Sequence, residues 1–196
     1  MAGGRPQVFR PSVKRAFRCC KRAIVPSCHC IIRFLDFEMM TEVSINKQAK
    51  LSEHFSLAEL CKTSAKTPDG NIPSRVHIDN LKRLCGWLEM LRSRWNMMYG
   101  EGDEPIIINS GYRSEAVNAA VGGVKGSNHL TGCAADIHVS GMEQLIRYAA
   151  ILLDISDESR EDFDELLLER SPRGTYWLHF AVRPSDNRRK VAFLRA

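Results

Sequence analysis

The stretch Ser127-Asn-His-Leu-Thr-Gly-Cys-Ala-Ala-Asp-Ile137 places a histidine in a polar loop and an aspartate in the apolar segment that follows. The apolar segment, 133–139, predicts a short buried strand. An aspartate inside such a strand costs free energy unless it is paired or bound to a cation. His129 and Asp136 are therefore candidates for a functional site.

A second predicted strand, 176–182, carries a similar interruption. His179 lies within Trp177-Leu-His-Phe-Ala-Val182, where its neighbours are apolar. Two imidazoles and one carboxylate form a chemically sensible zinc-binding set that leaves a fourth position for water. The residues alone leave another interpretation open, in which His179 is an ordinary hydrogen-bonded or surface histidine and Asp136 points to solvent.

The surrounding elements predict an α+β fold, with a small, mostly antiparallel sheet and helices packed against it. A capping box from Ser56 to Glu59 opens a short helix. Apolar residues from Ile78 to Trp95 recur at three- and four-residue steps, which is typical of a long amphipathic helix. Further helices are predicted at 114–121 and 142–154, and further strands at 105–109 and 165–170.

The formal net charge of +5 is concentrated at one end of the 196-residue chain. Residues 1–38 hold eight of the 28 Lys and Arg but only two of the 23 Asp and Glu, so the remainder is nearly neutral. A basic segment of this kind can bind anionic polymers. The nearly neutral remainder predicts a folded domain that does not bind nucleic acid.

The same division predicts four regions: a basic, disordered leader or tail (1–38), a linker (39–51), a folded domain (52–184) and a basic C-terminal tail (185–196). The apolar stretch of the first region is interrupted, unlike the core of a secretory signal. We interpret this region first as a translated leader upstream of Met39 or Met40, with a basic arm or a secretory signal as alternatives. No apolar run is long enough for a transmembrane helix, and three scattered cysteines after residue 38 argue against a disulfide framework.

Several motifs taken together resemble one known family. They are, in order, Ser110-Gly-Tyr-Arg-Ser114, Asn118, Val121-Gly-Gly123, the stretch 127–137 and Trp177-Leu-His179. This pattern is similar to the zinc D-Ala-D-Ala carboxypeptidases, a family that includes L-Ala-D-Glu endopeptidases of phage lysins and shares its zinc-site fold with the hedgehog signalling domain. The likeness covers about residues 52–184 and is to the phage and bacterial branch with a peptidase C-terminal domain. It implies a hedgehog/DD-peptidase-like fold.

The resemblance also implies roles for individual residues. His129, Asp136 and His179 would bind one zinc ion per chain. Arg113 matches a family arginine that contacts the substrate or steadies the transition state, as a guanidinium can for a developing oxyanion. Ser127 matches a serine near the substrate terminus, although a loop-capping role fits the sequence equally well.

Glu169, at the end of the strand 165–170, matches the place of a catalytic glutamate that acts as general base. An exposed strand-end glutamate is the alternative interpretation. Two departures from the family weaken the assignment: the gap from Glu169 to His179 is long, and Trp177 stands where several relatives carry a second histidine. Asp164 is an alternative base, or a cap that opens the strand.

The function that the resemblance implies is a zinc metallopeptidase that hydrolyses a bond of the peptidoglycan stem peptide. The bond would be D-Ala-D-Ala or L-Ala-D-Glu, in the manner of a phage lysin. A non-catalytic, zinc-stabilised binding module of the same fold is the alternative. We expect synthesis in the cytoplasm without a secretory signal, and action at the bacterial cell wall or periplasm.

Overall fold

A five-stranded sheet organises the part of the chain that the computed structural model describes, namely Asn46 and residues 48–195. The strands are β1 (Ile108–Ser110), β2 (Ala134–His138), β3 (Glu165–Arg170), β4 (Tyr176–Ala181) and β5 (Lys190–Arg195). They lie in the order β1-β2-β4-β3-β5. Every pairing is antiparallel except that of β3 with β5, which is parallel. The prediction of an α+β fold with a mostly antiparallel sheet is confirmed.

Four helices accompany the sheet in the described residues: α1 (Leu57–Leu60), α2 (Arg75–Met98), α3 (Glu115–Ala120) and α4 (Met142–Ser159). A single 3-10 turn, Asn128–Thr131, precedes β2. The predicted stripe of α2 is buried from Leu81 to Trp95, and Ser74 caps the amino end of the helix. α4 continues five residues beyond its predicted end because Ile155 and Ser156 are buried. No helix in the described part of the chain is both long and apolar enough to span a bilayer.

The hydrophobic core lies between the helices and one face of the sheet. Alternate strand residues point into it, so that Ile137, Leu178 and Phe180 join the buried residues of α2 and α4. Trp87 of α2 packs against the rings of Phe163 and Phe180. Burial of each such side chain contributes roughly 1.5–3 kcal/mol. One face of the sheet is therefore covered by the helices, and the opposite face can carry polar groups.

The opposite face of the sheet carries the residues that interrupt the predicted strands. Asp136 of β2 pairs in register with His179 of β4, and His179 pairs with Leu167 of β3. Cross-strand partners project to the same side of a sheet. Glu165 and Glu169 share that side with Leu167, because side chains alternate along a strand.

Strand β5 lies within the segment 185–196, and this corrects the prediction of a basic tail there. Residues 190–195 pair with the whole of β3, and Arg189 forms ion pairs with Asp157 and Asp162 just before the strand begins. The strand was missed because it lies at the edge of the sheet, where its alternating residues stay largely exposed and show no buried apolar stripe. The predicted leader (1–38), and the linker up to residue 45, lie outside the described residues.

Candidate metal centre and cleft

A cleft of about 700 Å³ lies over the polar face of the sheet. Its lining includes every residue that the sequence predicts for the site: Arg113, Ser127, His129, Asp136, Glu169 and His179. Pockets of this size suit small ligands or short peptide segments. The predicted residues therefore come together in one place, although they are spread over 67 positions of the sequence.

His129 is held by the 3-10 turn that precedes β2. The Ser127 hydroxyl caps this turn and accepts a hydrogen bond from the His129 backbone N–H at 3.3 Å. The turn ends at Gly132, whose φ of 72° is in the left-handed region. A Cβ at Gly132 would lie only 2.7 Å from the backbone oxygen of His77, so glycine is required for both conformation and space.

The buried imidazole of His129 is oriented by a backbone carbonyl. Its Nδ1 lies 2.6 Å from the Gly111 oxygen. A carbonyl oxygen can only accept, so Nδ1 carries the proton and a neutral ring keeps its lone pair on Nε2. That Nε2 lies 3.2 Å from Oδ1 of Asp136. A second contact joins the segment after β1 to the 3-10 turn: the backbone N–H of Arg113 donates to the backbone oxygen of His129 at 3.1 Å.

His179 approaches the same oxygen of Asp136 from the neighbouring strand. The distance from its Nδ1 to Oδ1 of Asp136 is 2.9 Å. One potential ligand atom from each of His129, Asp136 and His179 lies within 4.8 Å of the others. These three side chains could hold a metal ion.

Arg113 holds the other oxygen of Asp136. Its Nη2 donates to Oδ2 at 2.5 Å, and its Nε donates to the Ser110 hydroxyl at 2.8 Å. The arginine that the sequence assigns to the substrate thus has a structural contact with the predicted ligand. Ser110, which sequence reasoning did not single out, takes part in fixing the guanidinium.

The charges of the cluster depend on one another. Burial works against ionisation of Asp136, but the two histidines outweigh it and hold the pKa of this carboxyl well below its usual range. Burial lowers the pKa of His129. It opposes charge on His179 as well, yet the contacts with Asp136 and Glu165 raise the pKa of that ring to about 9.

Glu169 lies at the far end of β3, opposite Trp177 of β4, and both side chains line the cleft. The glutamate is half-buried, and this burial raises the pKa of its carboxyl. Asp164, the alternative base, is fully buried, and Arg188 donates three hydrogen bonds to it, two from the guanidinium and one from the backbone N–H. Since Asp164 does not line the cleft, Glu169 is the better placed of the two.

Two polar residues at the site, Asn128 and Glu165, were not singled out from the sequence. Asn128 donates from Nδ2 to Asp164 at 2.7 Å and to Glu165 at 3.0 Å. Glu165 in turn lies 3.6 Å from Nε2 of His179. The only sequence signal for Glu165 was its position on the same face of a predicted strand as Leu167 and Glu169, which follow it by two and four residues.

Comparison with known proteins identifies the class. Residues 53–158 match the family model described as Peptidase M15, and the chain belongs to this family. The family resemblance inferred from the motifs is confirmed, and so is the hedgehog/DD-peptidase fold. The matched range includes His129 and Asp136, whereas Glu169 and His179 lie beyond it.

The chain is also similar to the zinc D-Ala-D-Ala carboxypeptidase of Streptomyces albus G. The two are 31% identical over 84 residues, which is 43% of this chain and 31% of that protein. The chain therefore matches about a third of the length of this relative.

Proposed function

We propose that this chain is a zinc-dependent peptidase that hydrolyses a peptide bond of the peptidoglycan stem peptide. The observation that carries the proposal is the convergence of His129, Asp136 and His179 in a cleft that also contains Glu169. A general base beside a metal-binding cluster is the arrangement that metal-assisted amide hydrolysis requires.

The donor set fits zinc. It offers Nε2 of His129, Nδ1 of His179 and Oδ1 of Asp136, two imidazole nitrogens and one carboxylate oxygen. Zinc in catalytic sites is bound by three such protein ligands and keeps a further position open, whereas calcium and magnesium prefer oxygen ligands. A zinc ion held here would supply an activated water molecule and polarise the scissile carbonyl.

The side chains around the cluster would handle the proton and the developing charge. Glu169 would take a proton at its carboxylate and return it to the departing amine, and a pKa raised by burial suits both steps. Arg113 would stabilise negative charge on the carbonyl oxygen. Its contact with Asp136 means that it would also hold a zinc ligand in place.

The substrate class is proposed from the relative and from the cleft. The Streptomyces albus G protein is named for D-Ala-D-Ala, and the bond cut by this chain would be D-Ala-D-Ala or L-Ala-D-Glu, as in a phage lysin. Val121, Val124 and Trp177 line the cleft and could contact alanine methyl groups. The site of action would be the bacterial cell wall or periplasm.

Digestion of purified peptidoglycan tests the proposal. The full chain is incubated with zinc or with a chelator, and the products are identified by mass spectrometry. Loss of a single terminal alanine would identify a carboxypeptidase, and a new amino terminus on D-Glu would identify an endopeptidase. Either product should be absent with chelator and return when zinc is restored.

Asp136→Asn serves as the inactive control, since it removes the charge of the central ligand. A zinc-loaded wild-type chain that binds peptidoglycan and releases nothing would contradict the proposal. That result would favour the non-catalytic binding module.

A further inference from the structure

The carboxylate of Glu165 lies between the metal-binding cluster and two cations. Its Oε2 faces the cluster, 3.6 Å from Nε2 of His179 and 3.0 Å from Nδ2 of Asn128. Its Oε1 faces outward, 3.0 Å from Arg188 and 3.2 Å from Lys190. The side chain is only 14% exposed, and each of its oxygens faces two polar groups of the protein.

His179 needs an acceptor on the side of the ring away from Asp136. If Nδ1 binds a metal ion, it must be unprotonated, and the single proton of the neutral ring is then on Nε2. His179 is 8% exposed, and a buried N–H without a partner costs free energy. Glu165 lies 3.6 Å from Nε2, an ion-pair distance slightly longer than a hydrogen bond, and a small closing movement would make it the acceptor.

In His129, too, one ring nitrogen faces an oxygen acceptor and the other is left for the metal, but here the acceptor is a backbone carbonyl. The Gly111 oxygen accepts from Nδ1 and leaves Nε2 for the metal. The two histidines would therefore bind through opposite ring nitrogens, each selected by the group behind it. Groups behind the ligands commonly set both the orientation and the protonation of metal-binding histidines.

Asn128 connects Glu165 to the turn that carries His129. Its side-chain amide donates to both Glu165 and Asp164, and its backbone directly precedes His129. One carboxylate thus contacts β4 through His179 and the 3-10 turn through Asn128. These are the two elements that supply the imidazoles.

We propose that Glu165 is a positioning residue of the metal centre, which holds the Nε2–H of His179 and so directs Nδ1 toward the ion. Its contact with Asn128 fixes the distance between the two histidine-bearing elements. The inference rests on the metal site of the proposed function, and it does not depend on which peptide bond is cut.

Metal affinity of the full chain tests the role without substrate. Zinc affinity is measured by competition with a chelating dye, and the visible spectrum of the cobalt-substituted protein reports ligand geometry. Glu165→Leu removes the acceptor and should weaken zinc binding about 10- to 100-fold with altered cobalt bands. Glu165→Gln keeps an oxygen beside Nε2 and should recover most of the affinity, leaving a loss of about three- to tenfold.

Lys190→Gln is the matched control. It breaks one of the two outward ion pairs of Glu165 and leaves those with Arg188 and His179 in place. The zinc affinity should therefore change by about twofold or less. A loss as large as that of Glu165→Leu would overturn the proposal, because it would show that Glu165 acts only by attaching β5. Wild-type affinity and cobalt spectrum in Glu165→Leu would overturn it too.

Circular dichroism establishes whether each variant is folded. Should Glu165→Leu fail to fold, the comparison of Glu165→Gln with Lys190→Gln decides, and equal affinities in those two variants would overturn the proposal. A wild-type chain that binds zinc but cuts nothing would contradict the proposed function and leave this inference standing.

Discussion

The guanidinium of Arg113 holds Oδ2 of Asp136 at 2.5 Å, while both histidines of the cluster approach Oδ1 of the same carboxylate. The two oxygens therefore have different partners: Oδ2 binds the arginine, and Oδ1 faces the position that we propose for the metal ion. A carboxylate held in this way is oriented before any ion arrives, which reduces the free-energy cost of assembling the site.

Replacing Arg113 with methionine should therefore weaken zinc binding as well as catalysis. We expect zinc affinity to fall about 10-fold or more, because Asp136 would be free to rotate. Arg113→Lys should recover little of it, since an ammonium group cannot reproduce the planar fork that contacts both Ser110 and Asp136. The measurement is chelator competition, with Arg147→Met, a change on α4 that lies outside the cleft, as control. Unchanged affinity in Arg113→Met would show that the contact has no role in metal binding.

Glu169→Gln should separate catalysis from metal binding. The amide cannot accept the proton, so kcat should fall about 10²- to 10⁴-fold while the zinc content stays at the wild-type level. Product release from peptidoglycan and bound zinc are measured on the same samples, with the surface variant Glu143→Gln as control. If Glu169→Gln keeps full activity, the general base is another group.

Gly132→Ala should destabilise the folded chain more than a substitution at an open glycine. Both Gly132 and Gly70 have positive φ, so either alanine pays roughly 1–2 kcal/mol for the left-handed conformation. Only Gly132 would also place its Cβ 2.7 Å from the His77 backbone oxygen, whereas the nearest atom to Gly70 is 3.8 Å away. Urea unfolding should therefore show a larger loss for Gly132→Ala. Equal losses in the two variants would mean that the turn moves away from α2 at little cost.

Asp164 should make folding stability depend on pH in the acid range. Burial opposes its ionisation, but the hydrogen bonds from Arg188 and Asn128 prevail and lower the pKa of this carboxyl from 3.8 to about 2. A lowered pKa in the folded state stabilises the protein above pH 4, and this contribution is lost as the pH falls from about 4 to about 2.

The measurement compares urea unfolding of the wild type and Asp164→Asn at pH 6 and pH 3. At pH 6 the variant should lose roughly 2 kcal/mol, which is the free energy that corresponds to the lowering of the Asp164 pKa from 3.8 to about 2. The difference in unfolding free energy between wild type and variant should be about 1 kcal/mol smaller at pH 3. At that pH Asp164 is largely protonated in the unfolded wild type, which removes part of the stabilisation that its ionised form provides. A difference that is the same at both pH values would contradict the lowered pKa.

The residues at the centre of the candidate site were easier to single out from the sequence than those around them. Asp136 and His179 were detectable because each places a polar group where strand periodicity calls for an apolar one. Glu165 gave no such signal, since an acidic residue at a strand start is usually solvated, and only the contact with His179 gives it a role. Its importance depends on an approach between distant segments that local patterns do not encode.

Strand β5 was missed for a related reason. Val191, Phe193 and Leu194 are 38–54% exposed, and a short segment of this kind between basic residues forms a strand only because β3 offers a free edge. Strand preference depends strongly on such tertiary context. The buried strands 165–170 and 176–181, by contrast, were predicted to within one residue at each end, because their apolar residues are needed to cover α2 and α4.

The parallel pairing of β5 makes β3 an interior strand, and amide hydrogen exchange should reveal this. The N–H groups of β3 that point toward β5 are shielded only while that outer strand remains attached, whereas those that point toward β4 belong to the centre of the sheet. Edge elements open with lower free energies than the core. Alternate amides along the strand that carries Glu165 and Glu169 should therefore exchange at two different rates, and the faster rate would report how often β5 detaches.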